Sequence, residues 1–191
     1  MRPTPTSCGC EFVVSSLPVR PSISDQQWVS PIRNLAIGLL SRRDYSTREL
    51  RLRLQRKLRA MRQPPASAEA ARAITSVLKR LSDERLLDDR RLARRLACRD
   101  RAAKCHGDAR IRRDLAARGI DAATITFVLS DIPDQDETLG KALALWVERH
   151  GRPATRANLP RLYRHLVRLG YRPSDVRRRL APFFGKCGAP A

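Results

Sequence analysis

Aromatic residues make up only 5% of this 191-residue chain, histidine occurs three times, and no stretch approaches eighteen consecutive apolar residues. So few aromatics leave little with which to stack the bases of a single strand. The histidines stand beside no serine or cysteine in an activating context, so no nucleophilic catalysis is legible. The missing apolar run excludes a membrane-spanning helix, and the N-terminus lacks the apolar centre of a signal peptide, so a cytoplasmic protein is expected. No phosphate-cradling glycine loop follows a strand pattern. Neither catalysis, a cofactor nor a bound metal is expected.

Cysteine is also sparse and odd in number, at five, which speaks against a disulfide framework. Cys8 and Cys10 lie in a Pro/Ser-rich beginning and Cys187 lies near the end. Cys98 and Cys105 sit seven apart, on one side of an expected helix. With His106 they lack the paired CxxC spacing of structural zinc, and reduced, structural cysteines are the expectation.

What the chain does have is positive charge. Its 39 basic residues face 19 acidic ones, a formal net charge of +20, and Lys57, Lys79, Lys104, Lys141 and Lys186 are the only lysines. An anionic partner is expected. The excess is concentrated in residues 41–120, with 24 basic and 10 acidic residues, and in 149–186, with 11 and 1, whereas 121–148 are net acidic.

Residues 1–29 are rich in Pro and Ser and read as a disordered tail, or as residues that precede a later start. At Ser30 the pattern changes. Ser30 can cap, Pro31 suits a first helical position, and Ile32, Leu35, Ala36, Leu39 and Leu40 form a helical stripe. A second helix starts at Ser46, with Glu49 completing a capping-box pattern, and runs through Leu50, Leu54 and Leu58. A third, after "QPPAS", carries Ile74, Val77, Leu78 and Leu81.

The same spacing returns 51 residues later as Ile125, Val128, Leu129 and Ile132. At that offset "RIRRDLAARGI" (110–120) also returns as "RLYRHLVRLGY" (161–171), pairing Ile111 with Leu162, Leu115 with Leu166, Gly119 with Gly170 and Ile120 with Tyr171. Leu92 pairs with Leu143, Leu96 with Val147, and Ile125 with Val176, an ungapped register through three helices. The first copy fits once a Pro-containing insertion, "RAMRQPPASA", is allowed. The expected fold is therefore all-α: three tandem three-helix modules, helix-turn-helix-like, over 30–84, 85–133 and 134–186. Modules this small gain stability by stacking, so an elongated array that can curve is expected. Gly119 and Gly170 should end their helices as left-handed caps, Asp121 and Ser174 should start the next, and Asp88 and Asp89 read as caps rather than metal ligands.

Arginines at equivalent places, Arg110 with Arg161 and Arg113 with Arg164, predict a repeated basic ridge. Arg112 and Arg168 lie beside these on the same segments, Arg177 and Arg178 lie on the helix expected after the second of them, and Arg90, Arg91 and Arg94 open the second module. These eleven are the candidate contacts to phosphate or to an acidic protein groove, the plainer alternative being a solvated face. "DLAARGIDAATITFVL" (114–129) also looks like a DNA-reading helix-turn-helix. Its second helix, however, offers Thr124, Thr126 and Phe127, without Arg, Asn or Gln to read bases.

The segments "RLLDDRRLARRLACRDRAAKCHGDARIRRDLAARGID" and "RLYRHLVRLGYRPSDVRRRL", with "LLSRRDYSTRELRLRL" before them, resemble the RecX family, regulators of the RecA recombinase, over residues 33–183. The pattern differs at Arg85, where a glycine is usual before "LLDD", and at Leu92, where phenylalanine is usual. The resemblance implies tandem three-helix modules and a non-enzymatic, monomeric regulator. It would lie in the groove of the RecA filament on DNA, restrain recombination, ATP hydrolysis and coprotease activity in DNA repair and the SOS response, and touch single- and double-stranded DNA through phosphates.

Overall fold

The computed structural model describes residues 23–151 and 158–184, and every regular element among them is a helix. The helices are α1 (Ile23–Leu40), α2 (Thr47–Arg59), α3 (Ser67–Asp83), α4 (Asp89–Lys104), α5 (Asp108–Ala117), α6 (Ala122–Asp131), α7 (Gln135–His150), α8 (Asn158–Arg168) and α9 (Pro173–Phe184). Apolar side chains gather into three clusters, from α1–α3, α4–α6 and α7–α9. Three three-helix modules thus follow one another, and α4 touches α7 across a seam.

Most start signals act where the sequence places them. The Ser46 side chain accepts from the Glu49 N–H, and the Glu49 carboxylate accepts from the Ser46 N–H, which completes the capping box. Asp88 caps α4 by accepting from Arg91, and Asp121 caps α6 by accepting from Thr124. Gly119 and Gly170 have φ of +80° and +98°, and the N–H groups of Ile120 and Tyr171 close back on Leu115 and Leu166 as the left-handed caps require.

Three expectations are corrected. Helix α1 begins at Ile23, so Pro31 lies inside it and the expected tail of 1–29 loses its last seven residues to the helix. Trp28 and Val29 pack against the first cluster, and that burial outweighs the lost proline N–H. Residues 1–22, with Cys8 and Cys10, and Cys187 lie outside the described residues. Next, α9 starts at Pro173, with Arg172 O accepting from Val176 N, so Ser174 lies within the first turn instead of capping it. Finally, the ungapped 51-residue register holds for α5/α8 and α6/α9 but fails for α4/α7. Both helices have 16 residues and start 46 apart, at Asp89 and Gln135. The buried positions Ala93, Leu96 and Asp100 then correspond to Leu139, Ala142 and Trp146. The connection from α7 to α8 is correspondingly longer than that from α4 to α5. Leu87 also packs in the first cluster and Cys105 in the third, so the second module lends a residue to each of its neighbours.

Arg85 has φ +57° and closes α3, with Leu86 N bonded to Leu81 O at 2.9 Å. A side chain in this left-handed region costs roughly 1–2 kcal/mol. Arg85→Gly is therefore expected to raise unfolding free energy by about 1 kcal/mol, and an unchanged urea midpoint would refute the strain.

Candidate functional site

The second helices of the three modules, α2, α5 and α8, meet end to end. At one junction the carbonyls that end α8 accept from amides that begin α5: Leu169 O from Gly107 N at 2.8 Å, and Gly170 O from Ala109 N at 3.1 Å. At the other, Ser46 Oγ at the start of α2 donates to Arg118 O at the end of α5 at 2.5 Å. Each junction sets the negative end of one helix dipole against the positive end of the next and satisfies groups a helix terminus leaves open.

Glycines permit the approach. A Cβ on Gly107 would strike the Gly170 carbonyl and lie 2.6 Å from Tyr171 N, and one on Gly170 would lie 2.9 Å from Arg110 Cα. One on Gly119 would strike the stem of Arg48. Polar groups complete the seams. Tyr171 Oη donates to Cys105 O at 2.8 Å; buried Arg101 pairs with Asp108 and donates to His106 O. Gln135 accepts from Asp108 N, and at the first seam Asp89 accepts from Thr47 N at 2.8 Å while Arg95 pairs with Asp44.

The eleven candidate arginines divide on this frame. Arg110 is half-buried, pairs with Asp114 at 3.1 Å and sits against Gly170, so it belongs to the seam more than to an open ridge. Arg94 pairs with Asp131, and Arg178 with Asp136 and Asp175. Arg90 covers the ring of Phe127 at 3.6 Å, Arg91 donates to Arg85 O and Arg112 to Thr126 Oγ1. Arg113, Arg161, Arg168 and Arg177 are exposed with no acidic partner among the described residues, and Arg164 is exposed with only the Pro160 carbonyl. Arg113 and Arg164 occupy equivalent places on helices that meet end to end. The row continues into residues outside the predicted set: Arg51, Arg53, Arg56, Lys57 and Arg59 of α2 are exposed and without an acidic partner among the described residues. Their density within one helix was the available signal, but α2 lacks the glycine turn that marks its counterparts.

Cys98 and Cys105 do not form a metal pair. Cys105 follows α4 in a left-handed conformation and is buried in the third cluster, while Cys98 is exposed. Asp100, His106 and Asp114 do bring ligand atoms within 4.8 Å of one another. Their carboxylates are already engaged, Asp100 by Arg99 and Lys104 and Asp114 by Arg110. Burial alone would raise the Asp100 carboxyl, but the bonds from Lys104 and Arg99 outweigh it and hold the group below its ordinary range.

Burial, with the nearby Arg110 cation adding to it, depresses His106 below its ordinary 6.5 against the pull of Asp100; burial and then Arg168, His150 and Arg149 depress His165. A depressed histidine binds protons more readily in the unfolded chain, so its stabilising share is present above pH 6.5 and is lost as pH falls below it. The urea midpoint should drop between about pH 7.5 and about pH 5.5, and drop less in His106→Gln; equal drops would exclude His106.

No helix among the described residues is long and apolar enough to cross a membrane. The family model for the second three-helix domain of RecX matches residues 88–129. The chain is 34% identical to regulatory protein RecX of Chromohalobacter salexigens over 78% of this chain and 90% of that protein. It is 31% identical to regulatory protein RecX of Halorhodospira halophila over 76% and 84%. A crystal structure of RecX from Lactobacillus salivarius superposes with a TM-score of 0.66 at 19% identity, covering 83% of this chain and 98% of that one, and shares the fold.

Proposed function

Because the chain belongs to the RecX family of regulatory proteins, we propose that it is a non-enzymatic regulator that binds the RecA filament on DNA and restrains its ATP hydrolysis, strand exchange and coprotease activities. The observation that carries the reading is the row of α2, α5 and α8 joined end to end, with exposed cations along its length. Such a row suits a long anionic track, whether DNA phosphates or the acidic wall of a filament groove, because many weak contacts add along one body. The protein acts as a cytoplasmic monomer, through charge and shape, with Arg113, Arg161, Arg164 and the α2 arginines among the contacts. Direct sequence reading by α6 is the weaker account. Its exposed Phe127 is covered by Arg90, and Thr126 is bonded to Arg112 and to Ala122 O.

Co-sedimentation tests the partner. At moderate salt, bead-anchored RecA–DNA filaments should carry down several times more of the protein than equal bead-anchored DNA alone. Equal pelleting with and without the recombinase would replace the proposal with plain DNA binding.

A further inference from the structure

Between α4, α7 and α8, at the seam of the second and third modules, lies a cleft of about 290 Å³ that none of Arg113, Arg161 and Arg164 lines. Its walls differ in character. Trp146, Leu145 and Leu169 form an apolar side, and the His150 ring stacks on Trp146 at 4.6 Å between centroids, 16° from parallel. Facing them are the cationic or protonatable groups of Lys104, Arg149 and His165. No carboxylate lines the cleft among the described residues, and the one acidic contact of the group is Asp100, bonded to Lys104 from outside the lining. Burial and the nearby Arg168 charge disfavour protonation of His165, so its ring meets an anion as a neutral hydrogen-bond donor. Lys104 is paired with Asp100, whereas Arg149 has no acidic partner among the described residues, and a guanidinium that shares a cleft with an ammonium suits a phosphate. Bases stack on histidine as on other aromatic rings. The volume is at the small end of ligand sites, roughly 300–1,000 Å³, and suits one nucleotide rather than a folded segment.

We infer that this cleft is a nucleotide site, with the base against the His150–Trp146 stack and the phosphate held by Lys104, Arg149 and His165. The nucleotide is either free or one unit of a single strand. The site shares α8 with the row but is lined by none of Arg113, Arg161 and Arg164, and it needs no recombinase.

Trp146 is the reporter. In full-length protein carrying Trp28→Phe, its emission is followed while thymidine monophosphate, a ten-nucleotide oligo-dT or poly-glutamate is added. Anisotropy of labelled oligo-dT with the unsubstituted protein gives a reading independent of Trp28. A saturable change with oligo-dT is expected, weakened about tenfold by Arg149→Glu or His165→Gln and preserved when Arg113 and Arg161 are reversed. A response to the monophosphate as well makes the source a free nucleotide; a response to oligo-dT alone makes it a strand, and either supports the site. No response to either, a response only to poly-glutamate, or affinities within twofold in the Arg149 and His165 variants would overturn it. None of those results would touch the filament proposal, since no recombinase is present.

Discussion

Gly170→Ala should destabilise the protein by about 3 kcal/mol and uncouple its third module from its second. Two costs add: a side chain at φ +98° pays roughly 1–2 kcal/mol, and a methyl group forced against Arg110 pays roughly 1–3 kcal/mol for overpacking. The backbone cannot retreat freely, because Gly170 O and Leu169 O are the acceptors for the start of α5 and Tyr171 anchors the same turn to Cys105. Moving the turn would release all three bonds and loosen the buried Arg101–Asp108 pair beside them. A urea titration with a lowered midpoint, together with faster amide exchange at Gly107 and Ala109, is the expected signature. A midpoint within about 0.5 kcal/mol of the parent would mean that the end-to-end junction does not support the fold.

Reversing Arg113, Arg161 and Arg164 to glutamate is expected to weaken inhibition of the recombinase at least about tenfold, close to 1.4 kcal/mol, and to reduce its salt sensitivity. All three are exposed and none has an acidic partner among the described residues, so stability should change by no more than about 0.5 kcal/mol. Arg110 is deliberately left alone. A glutamate there would face Asp114 and press on Gly170, and its loss of activity would report a broken seam. Unchanged inhibition by the triple variant would remove the ridge from the account.

Much of this architecture is written locally. Caps, the Gly119 and Gly170 turns, and the apolar stripes of α5, α6, α8 and α9 depend on residues within a few positions of one another, so their repetition was legible. Helix α7 begins where the third module is expected to begin, but its register against α4 is not legible because it is apolar on several sides. Leu143 and Val147 offer as good a stripe as Leu139, Ala142 and Trp146; all five pack on the third cluster, but only the latter three are fully buried. The start of α1 was hidden by Pro31, which serves equally well as a first-turn residue. The seams were invisible for a different reason: Gly107 against Gly170, Tyr171 on Cys105 and Ser46 on Arg118 are pairings between distant segments. Those pairings also decide which arginines are free. Charge counting found the basic regions, but it could not tell Arg113, which is open, from Arg110, which is engaged.

Action of the basic row on the recombinase is read out by DNA-dependent ATP hydrolysis. RecA on single-stranded DNA is titrated with the parent chain and with the Arg113, Arg161 and Arg164 triple variant at moderate salt. Progressive inhibition by the parent well below one copy per recombinase is expected, with the variant's curve displaced at least about tenfold to higher concentration. Hydrolysis unaffected by the parent at stoichiometric amounts, with tight binding to bare duplex instead, would contradict it.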